Sequence, residues 1–291
     1  MAKRLNVGSA ILFIVIPLLP IFIFYFMPMI VTFFTSFSDW NYVSEPHLIW
    51  MENYSNLFQS PDFYQSLLNT VYFGLGTLVP SVIIGFLLGY LISNQTWGKN
   101  FFRASIFAPY ITPTVAMSIV WSSMYAPEGL INRLLSFVGI SGPSWLTDSN
   151  WALTAVVIMT VWKNAGYAML FYASDFSTIS KSYFEVSDLE GANFWDRLRY
   201  IYIPMSTGTT FFLTIILLIN SIQAYDQISV LTQGGPSGST RTLLYYYYQL
   251  AFEQFDMGQA TALAIVIVAL TGILAFGLQK LRHRYDWSVQ S

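Results

Sequence analysis

Lys163 is the one basic residue set well inside a long apolar run of this chain. A charge in that position is costly, and it marks either a functional group or a deliberate structural partner. Two readings stand side by side. The ammonium can make an ion pair or bond the carbonyls of a broken helix, or it can line a polar path. Its neighbours Trp162, Asn164 and Tyr167 add an indole, an amide and a phenol, with Asn164 and Tyr167 at i, i+3 on one helical side. Amide plus ring is a surface suited to a sugar, because hydroxyls bond the amide and the C–H faces stack on the ring. Asn220 and Gln223 repeat the i, i+3 polar pair near the end of another apolar run. They serve the same path or hold two helices together. No His cluster, paired carboxylates within the apolar runs or nucleophile motif accompanies them, so the pattern does not support an enzyme.

A second stretch carries chemistry of another kind. Residues 180–204 form the longest well-charged run in the chain. Ser182 followed by Glu185 predicts a capping box that opens a short helix. Gly191 is a natural stop. Asn193 with Asp196 predicts the cap of a second helix, and Pro204 can be accommodated where the next apolar segment begins. The first helix aligns Tyr183, Val186 and Leu189 in a stripe, with Glu185 and Asp188 toward another face. An apolar ridge beside an acidic edge suits docking to a protein. A helix resting on lipid headgroups is the alternative, although such helices usually carry Lys and Arg.

The elements that position these residues are apolar. The 291 residues are 55% hydrophobic and 10% charged, with mean hydropathy +0.52. Soluble domains carry roughly 25% charge, so the composition is that of an integral membrane protein. Apolar runs at residues 11–37, 67–92, 104–125, 151–173, 205–224 and 260–278 read as six spans. About 20 residues at a 1.5 Å rise match a roughly 30 Å hydrocarbon layer. The first run is too long for a signal peptide, and Pro17, Pro20 and Pro28 predict an irregular helix. Pro109 and Pro113 are placed in the first turns of the third span.

Basic residues set the orientation. With the N-terminus inside, the inner segments hold Lys3, Arg4, Lys99, Arg103, Lys181, Arg197, Arg199, Lys280, Arg282 and Arg284, against Arg133 and Arg241 outside. Both termini and the charged stretch are therefore expected in the cytoplasm. The fold class is all-α integral membrane, one domain over 1–291, with a helical hairpin at about 176–204 between spans four and five. In the outer segment, Gly234-Gly235-Pro236 is read as a flexible corner and Tyr245 to Tyr248 as an interfacial belt. Span six, rich in Ala and Gly, is read as a close-packing helix. Cysteine is absent, and nothing basic or zinc-spaced suggests nucleic acid.

Glu185-Val186-Ser187-Asp188-Leu189-Glu190-Gly191-Ala192, followed by Leu198, Ile201 and Pro204, resembles the "EAA" loop of ABC-importer permeases of the carbohydrate-uptake type. Val186 and Ser187 stand where that loop has two alanines, and Glu190 where it has aspartate. Trp162-Lys163-Asn164, Leu231-Thr232 with Gly234-Gly235-Pro236, Thr240, Ala251-Phe252 and Gly258 with Ala260 extend the resemblance over nearly the whole chain. It implies a type I importer fold in the bacterial cytoplasmic membrane. It implies a second homologous permease subunit in a heterodimer, two ATPase subunits that receive the 180–204 loop, and an extracytoplasmic solute-binding protein. ATP and Mg would reside on the ATPase, since this chain has no Gly-x-x-x-x-Gly-Lys-Ser/Thr loop. The coupling residues would be Tyr183, Glu185, Val186, Asp188, Leu189, Glu190, Gly191 and Ala192. The substrate would be a sugar, with glycerol phosphate or another polyol as the alternative. A secondary transporter or channel is the competing class. Its usual intramembrane carboxylates or His are missing from the spans, and no inverted repeat is evident.

Overall fold

The computed structural model describes residues 7–95 and 97–289, with side chains over 13–95 and 97–280. Lys3 and Arg4 lie outside the described residues, and so do the side chains of Arg282 and Arg284. Among the described residues the regular structure is helical apart from one two-strand ladder, β1 (Ser38–Asp39) with β2 (His47–Leu48), antiparallel with Ser38 opposite Leu48. Among the described residues, four helices are long and apolar enough to cross a membrane, and two further pairs qualify only if each sharply bent pair counts as one span. The chain divides into two compact units, residues 1–61 with 247–269 and residues 62–246 with 270–291.

The first unit begins with α1 (Val7–Ile21), a π-turn over Phe22–Phe26 and α2 (Met27–Thr35). The irregularity expected near Pro28 is this π-turn, in which the Met27 N–H reaches back to the Phe22 carbonyl, whereas Pro17 and Pro20 are carried inside α1. Pro28 follows at once. A proline ring clashes with the carbonyl four residues earlier, and widening the preceding turn relieves it. The same device recurs in the second unit, where the π-turn Leu198–Tyr202 precedes Ile203-Pro204. Beyond α2, Asn53 on α3 (Glu52–Gln59) is buried and donates to the carbonyls of Ser36 and Ser38, both at 2.9 Å. The Met257 N–H, at the start of α15 (Met257–Val289), donates to the Trp40 carbonyl at 2.8 Å. Gly258 is required there, since a Cβ would sit 2.4 Å from the Ser38 carbonyl oxygen. The close packing expected of span six is present at Gly258, Ala260 and Ala262, but Gly272 and Gly277 face open space.

In the second unit, α4 (Pro61–Asn94) crosses α8 (Ala152–Phe176). A Cβ on Gly85 would lie 2.3 Å from that of Ala168, and one on Gly89 would lie 2.6 Å from that of Tyr172. Lipid tails are as apolar as leucine, so association rests on such small-residue contacts and on a few polar bonds. Here the bonds include Thr77 Oγ1 with Ser221 Oγ at 2.9 Å and Tyr172 Oη with Thr210 Oγ1 at 2.8 Å. The central helix is α8. Buried residues make up 61% of its apolar window, against 33% for α4.

The expected third span is not one straight helix. It comprises α5 (Lys99–Ile111) and α6 (Thr114–Met124), bent by 98°. Pro113 forces the residue before it out of helical geometry, and Thr112 is extended at ψ 136°. Pro109 is carried inside α5, so the first-turn placement expected for both prolines is corrected. The chain continues through α7 (Leu130–Phe137), α9 (Lys181–Leu189), α10 (Phe194–Arg197), α11 (Ile203–Met205), α12 (Thr207–Ile222), α13 (Asp226–Leu231) and α14 (Leu243–Tyr248). The segments on either side of Ser206 bend by 64°.

Two expectations for the outer segment are also corrected. The turn at Gly234-Gly235-Pro236 is a hydrogen-bonded structure rather than a loose corner. Thr240 Oγ1 donates to the Gly235 carbonyl at 2.8 Å, and Asn69 Nδ2 donates to the carbonyls of Gly238 and Arg241 at 2.8 and 3.0 Å. An ion pair between Arg241 and Asp62 adds to this anchoring. Tyr245 and Tyr246 are buried rather than lining a membrane surface.

Candidate functional site

The α5–α6 break and the end of α12 frame a cavity of about 390 Å³ in the second unit. Its walls carry Lys163 and Asn164 from α8 and Asn220 from α12. The α12–α13 corner contributes Gln223 and Asp226, and α5 contributes Tyr110. These residues are far apart in the sequence and meet because α8 packs on α5 while α13 packs on α6. Gly166 permits the first approach, as a Cβ there would lie 2.1 Å from the Ile106 carbonyl oxygen.

Lys163 Nζ donates to the Thr112 carbonyl at 3.1 Å and to Thr114 Oγ1. The bend leaves that carbonyl without a helical donor, and an unsatisfied carbonyl in an apolar layer is expensive. The first reading of Lys163, a bond to the carbonyls of a broken helix, is therefore present, and the same side chain also lines the cavity. Asp226 lines it as well, so the walls carry one charge of each sign.

The other polar candidates divide. Asn164, Asn220 and Gln223 all reach the cavity. The interhelical bond at the level of Asn220 is made by Ser221 with Thr77, so the gluing role falls to that neighbour. Trp162 is not brought in; it is 42% exposed and packs on Trp121 with ring centroids 5.5 Å apart. Tyr167 is stacked behind Tyr110 at 4.4 Å and 20°, while Tyr110 itself faces the cavity. The sequence reading missed Tyr110 and Asp226. The polar run Gln223-Ala224-Tyr225-Asp226-Gln227 was a signal for the second, had the span been continued past Ala224.

At the other candidate site, α9 starts two residues earlier than the predicted box required. Ser180 is the cap, accepting from the Ser182 N–H. The Ser182–Glu185 box is not formed, because Ser182 is already inside the helix and its hydroxyl pairs with that of Ser180. Gly191 ends the helix at φ +70°, a left-handed conformation that favours glycine. The box at Asn193 and Asp196 does form: Asn193 Oδ1 accepts from the Trp195 and Asp196 N–H groups, and Asp196 accepts from the Asn193 N–H. An ion pair between Arg197 and Asp188 ties the two helices together.

The predicted ridge stands free of the hairpin core, with Tyr183 49%, Val186 54% and Leu189 89% exposed. Beside it lies a cleft of about 600 Å³ that also reaches Glu190, Gly191 and Ala192. The Glu185 and Asp188 carboxylates are exposed. Val186 and Ser187 have opposite environments. Val186 projects outward, while Ser187 is buried and its carbonyl accepts from the Ala192 N–H at 2.9 Å. Behind α9, Phe184 meets Tyr202, Tyr202 meets Phe176, and Phe176 stacks on Tyr172 in α8.

Residues 81–284 match the family described as "Binding-protein-dependent transport system inner membrane component". The chain belongs to this family. The matched part contains the whole hairpin and every polar candidate of the cavity. Among its relatives is the lactose transport system permease protein LacF of Rhizobium radiobacter, 33% identical over 230 residues, covering 77% of each chain. The trehalose/maltose transport system permease protein MalF of Thermococcus litoralis is 28% identical, covering 92% of this chain and 91% of that protein. A solved bacterial ABC transporter that imports the acidic polysaccharide alginate superposes with a TM-score of 0.83 at 20% identity, covering 94% and 95% of the two chains. The permease thus shares its overall fold with an ABC importer, and its several apolar helices make it a multi-pass membrane protein.

Proposed function

We propose that this permease is the transmembrane subunit of an ATP-driven importer that moves a neutral sugar across the bacterial cytoplasmic membrane. Support for the class comes from family membership and from relatives named for lactose, trehalose and maltose. The observation that carries the substrate reading is the cavity wall. Amides from Asn164, Asn220 and Gln223 and the ring of Tyr110 offer hydrogen bonds and a stacking face. The ammonium of Lys163 is engaged by the broken helix and shares the cavity with Asp226, which favours a neutral sugar over glycerol phosphate.

In this reading the path has six crossings with both termini cytoplasmic, each bent pair counting as one crossing. A second permease subunit completes the path, and an extracytoplasmic binding protein delivers the sugar. The α9 ridge of Tyr183, Val186 and Leu189, with Glu185, Asp188 and Glu190, docks on a separate ATPase that holds ATP and Mg. Gly191 and Ala192 form the corner that lets the ridge project. Closure of the ATPase pair then moves the hairpin as a rigid body, and the Phe184–Tyr202–Phe176 ring contacts connect it to α8.

Uptake of labelled neutral disaccharides and of labelled glycerol phosphate by cells expressing the complete system tests this. Disaccharide uptake that disappears in Asn164→Ala, while membrane insertion persists, is the expected result. Uptake of glycerol phosphate alone overturns the substrate reading.

A further inference from the structure

We propose that α7 (Leu130–Phe137) is an interfacial anchor, seating one face in the phospholipid leaflet between the α6 and α8 ends of the second unit. This inference rests on the family's membrane location and not on the transport reading. Leu130, Leu134 and Phe137 recur at i, i+4 and i+7 and form a single stripe. They are 52%, 56% and 86% exposed, and Val138 and Ile140 continue the apolar surface at 70% and 53%. Arg133 flanks the stripe and is exposed, and α7 carries no acidic residue. An apolar stripe edged by a cation matches acyl chains below and phosphates above.

The level of α7 is fixed by its bonds. Asn132, on the opposite face, accepts from Trp145 Nε1 at 2.8 Å. The Trp145 ring meets Tyr125 at 5.4 Å and Trp151 at 5.5 Å. Tyr125 follows the last residue of α6, and its hydroxyl donates to the Ala155 carbonyl at 2.7 Å, in the first turn of α8. Trp151 is the cap residue of α8. So α7 is tied to a cluster of two tryptophans and a tyrosine at the point where both helices end. Such rings gather at the boundary between hydrocarbon and water. The exposed apolar surface of α6, at Ile119 and Val120, leads up to that level.

The chain has no cysteine, so each single substitution, labelled in this subunit before assembly with its partners, reports one site. Leu134→Cys, Phe137→Cys and, as the polar-side control, Ser136→Cys would be tested in the assembled transporter. Each would carry a fluorescent label in liposomes of phosphatidylethanolamine and phosphatidylglycerol. Severalfold stronger quenching by shallow spin-labelled lipid at 134 and 137 than at 136, with the reverse order for a water-soluble quencher, is the expected result. Val138→Cys replaces either apolar site if its variant fails to assemble. Equal access to the water-soluble quencher at all positions overturns the anchor. Protection at 134 and 137 from both quenchers also overturns it, because a protein surface then covers the stripe.

Discussion

The hairpin at 181–205 and the cavity at the α5–α6 break are built by opposite means. The hairpin is shaped by neighbours in sequence. Ser180, Gly191 and the Asn193–Asp196 box each act within three residues, and what they leave over is an exposed ridge. The cavity is shaped by residues more than a hundred positions apart, and what it leaves over is a half-open set of polar groups. Local signals suit a part that must keep its shape while its surroundings move. A site assembled from α5, α8, α12 and α13 changes shape whenever those helices shift, which suits a path that must open and close.

The largest effect is expected where the local design has no substitute. Gly191→Val places a β-branched residue at φ +70°. Left-handed geometry costs an ordinary residue roughly 1–2 kcal/mol, and the corner can avoid that cost only by reorienting α9 against α10. Uptake and co-purification of the ATPase should both be lost while the protein still inserts. Retention of both would show that the corner does not set the docking geometry.

Next comes the cavity's one structural ion. Lys163→Met leaves the Thr112 carbonyl without its donor, and a buried unsatisfied group costs about 1–3 kcal/mol. The thermal midpoint of the purified complex should fall together with uptake. Lys163→Arg should restore part of the midpoint. An unchanged midpoint in Lys163→Met would separate the bend from this residue and leave Pro113 alone to hold it.

The paired change Asn220→Ala with Gln223→Ala should act on transport only. Both side chains are exposed to the cavity, and the nearby interhelical bond belongs to Ser221 and Thr77. A higher KM for uptake with an unchanged midpoint and unchanged ATPase co-purification is expected. A lowered midpoint would return these two residues to a packing role.

The same contrast explains what could be read in advance. The hairpin, its Asn193–Asp196 box, its Gly191 corner and its free ridge were legible because capping and helix periodicity are local rules. The one local error, Ser182 in place of Ser180 as the cap, came from two serines that could each accept from the free N–H groups of the same helix start. The 98° bend was not legible, because a proline is tolerated near a helix start and placing that start five residues too late put Pro113 in the tolerated zone. Asp226 and Tyr110 were missed for a different reason. Neither belongs to a motif around Lys163, and only the packing of α5 and α13 brings them there. Trp162 erred the other way, since adjacency in sequence turns a helical side chain by 100° and away from Lys163.

The smallest effect tests whether the hairpin is held by its corner or by its ion pair. Asp188→Asn removes the carboxylate that meets Arg197, leaving a group of similar shape. The two side chains are 65% and 32% exposed, and a solvated pair of this kind contributes roughly 0.2–1 kcal/mol, less in high salt. Asn193, Asp196 and Gly191 still hold the angle between α9 and α10 without it. ATPase stimulation should therefore fall only slightly in Asp188→Asn, and raising the salt should bring the unsubstituted protein toward the variant. A loss as large as that of Gly191→Val, at any salt, would mean that Asp188 acts on the partner rather than on Arg197. The acidic edge of the ridge would then join its apolar stripe as part of the docking surface.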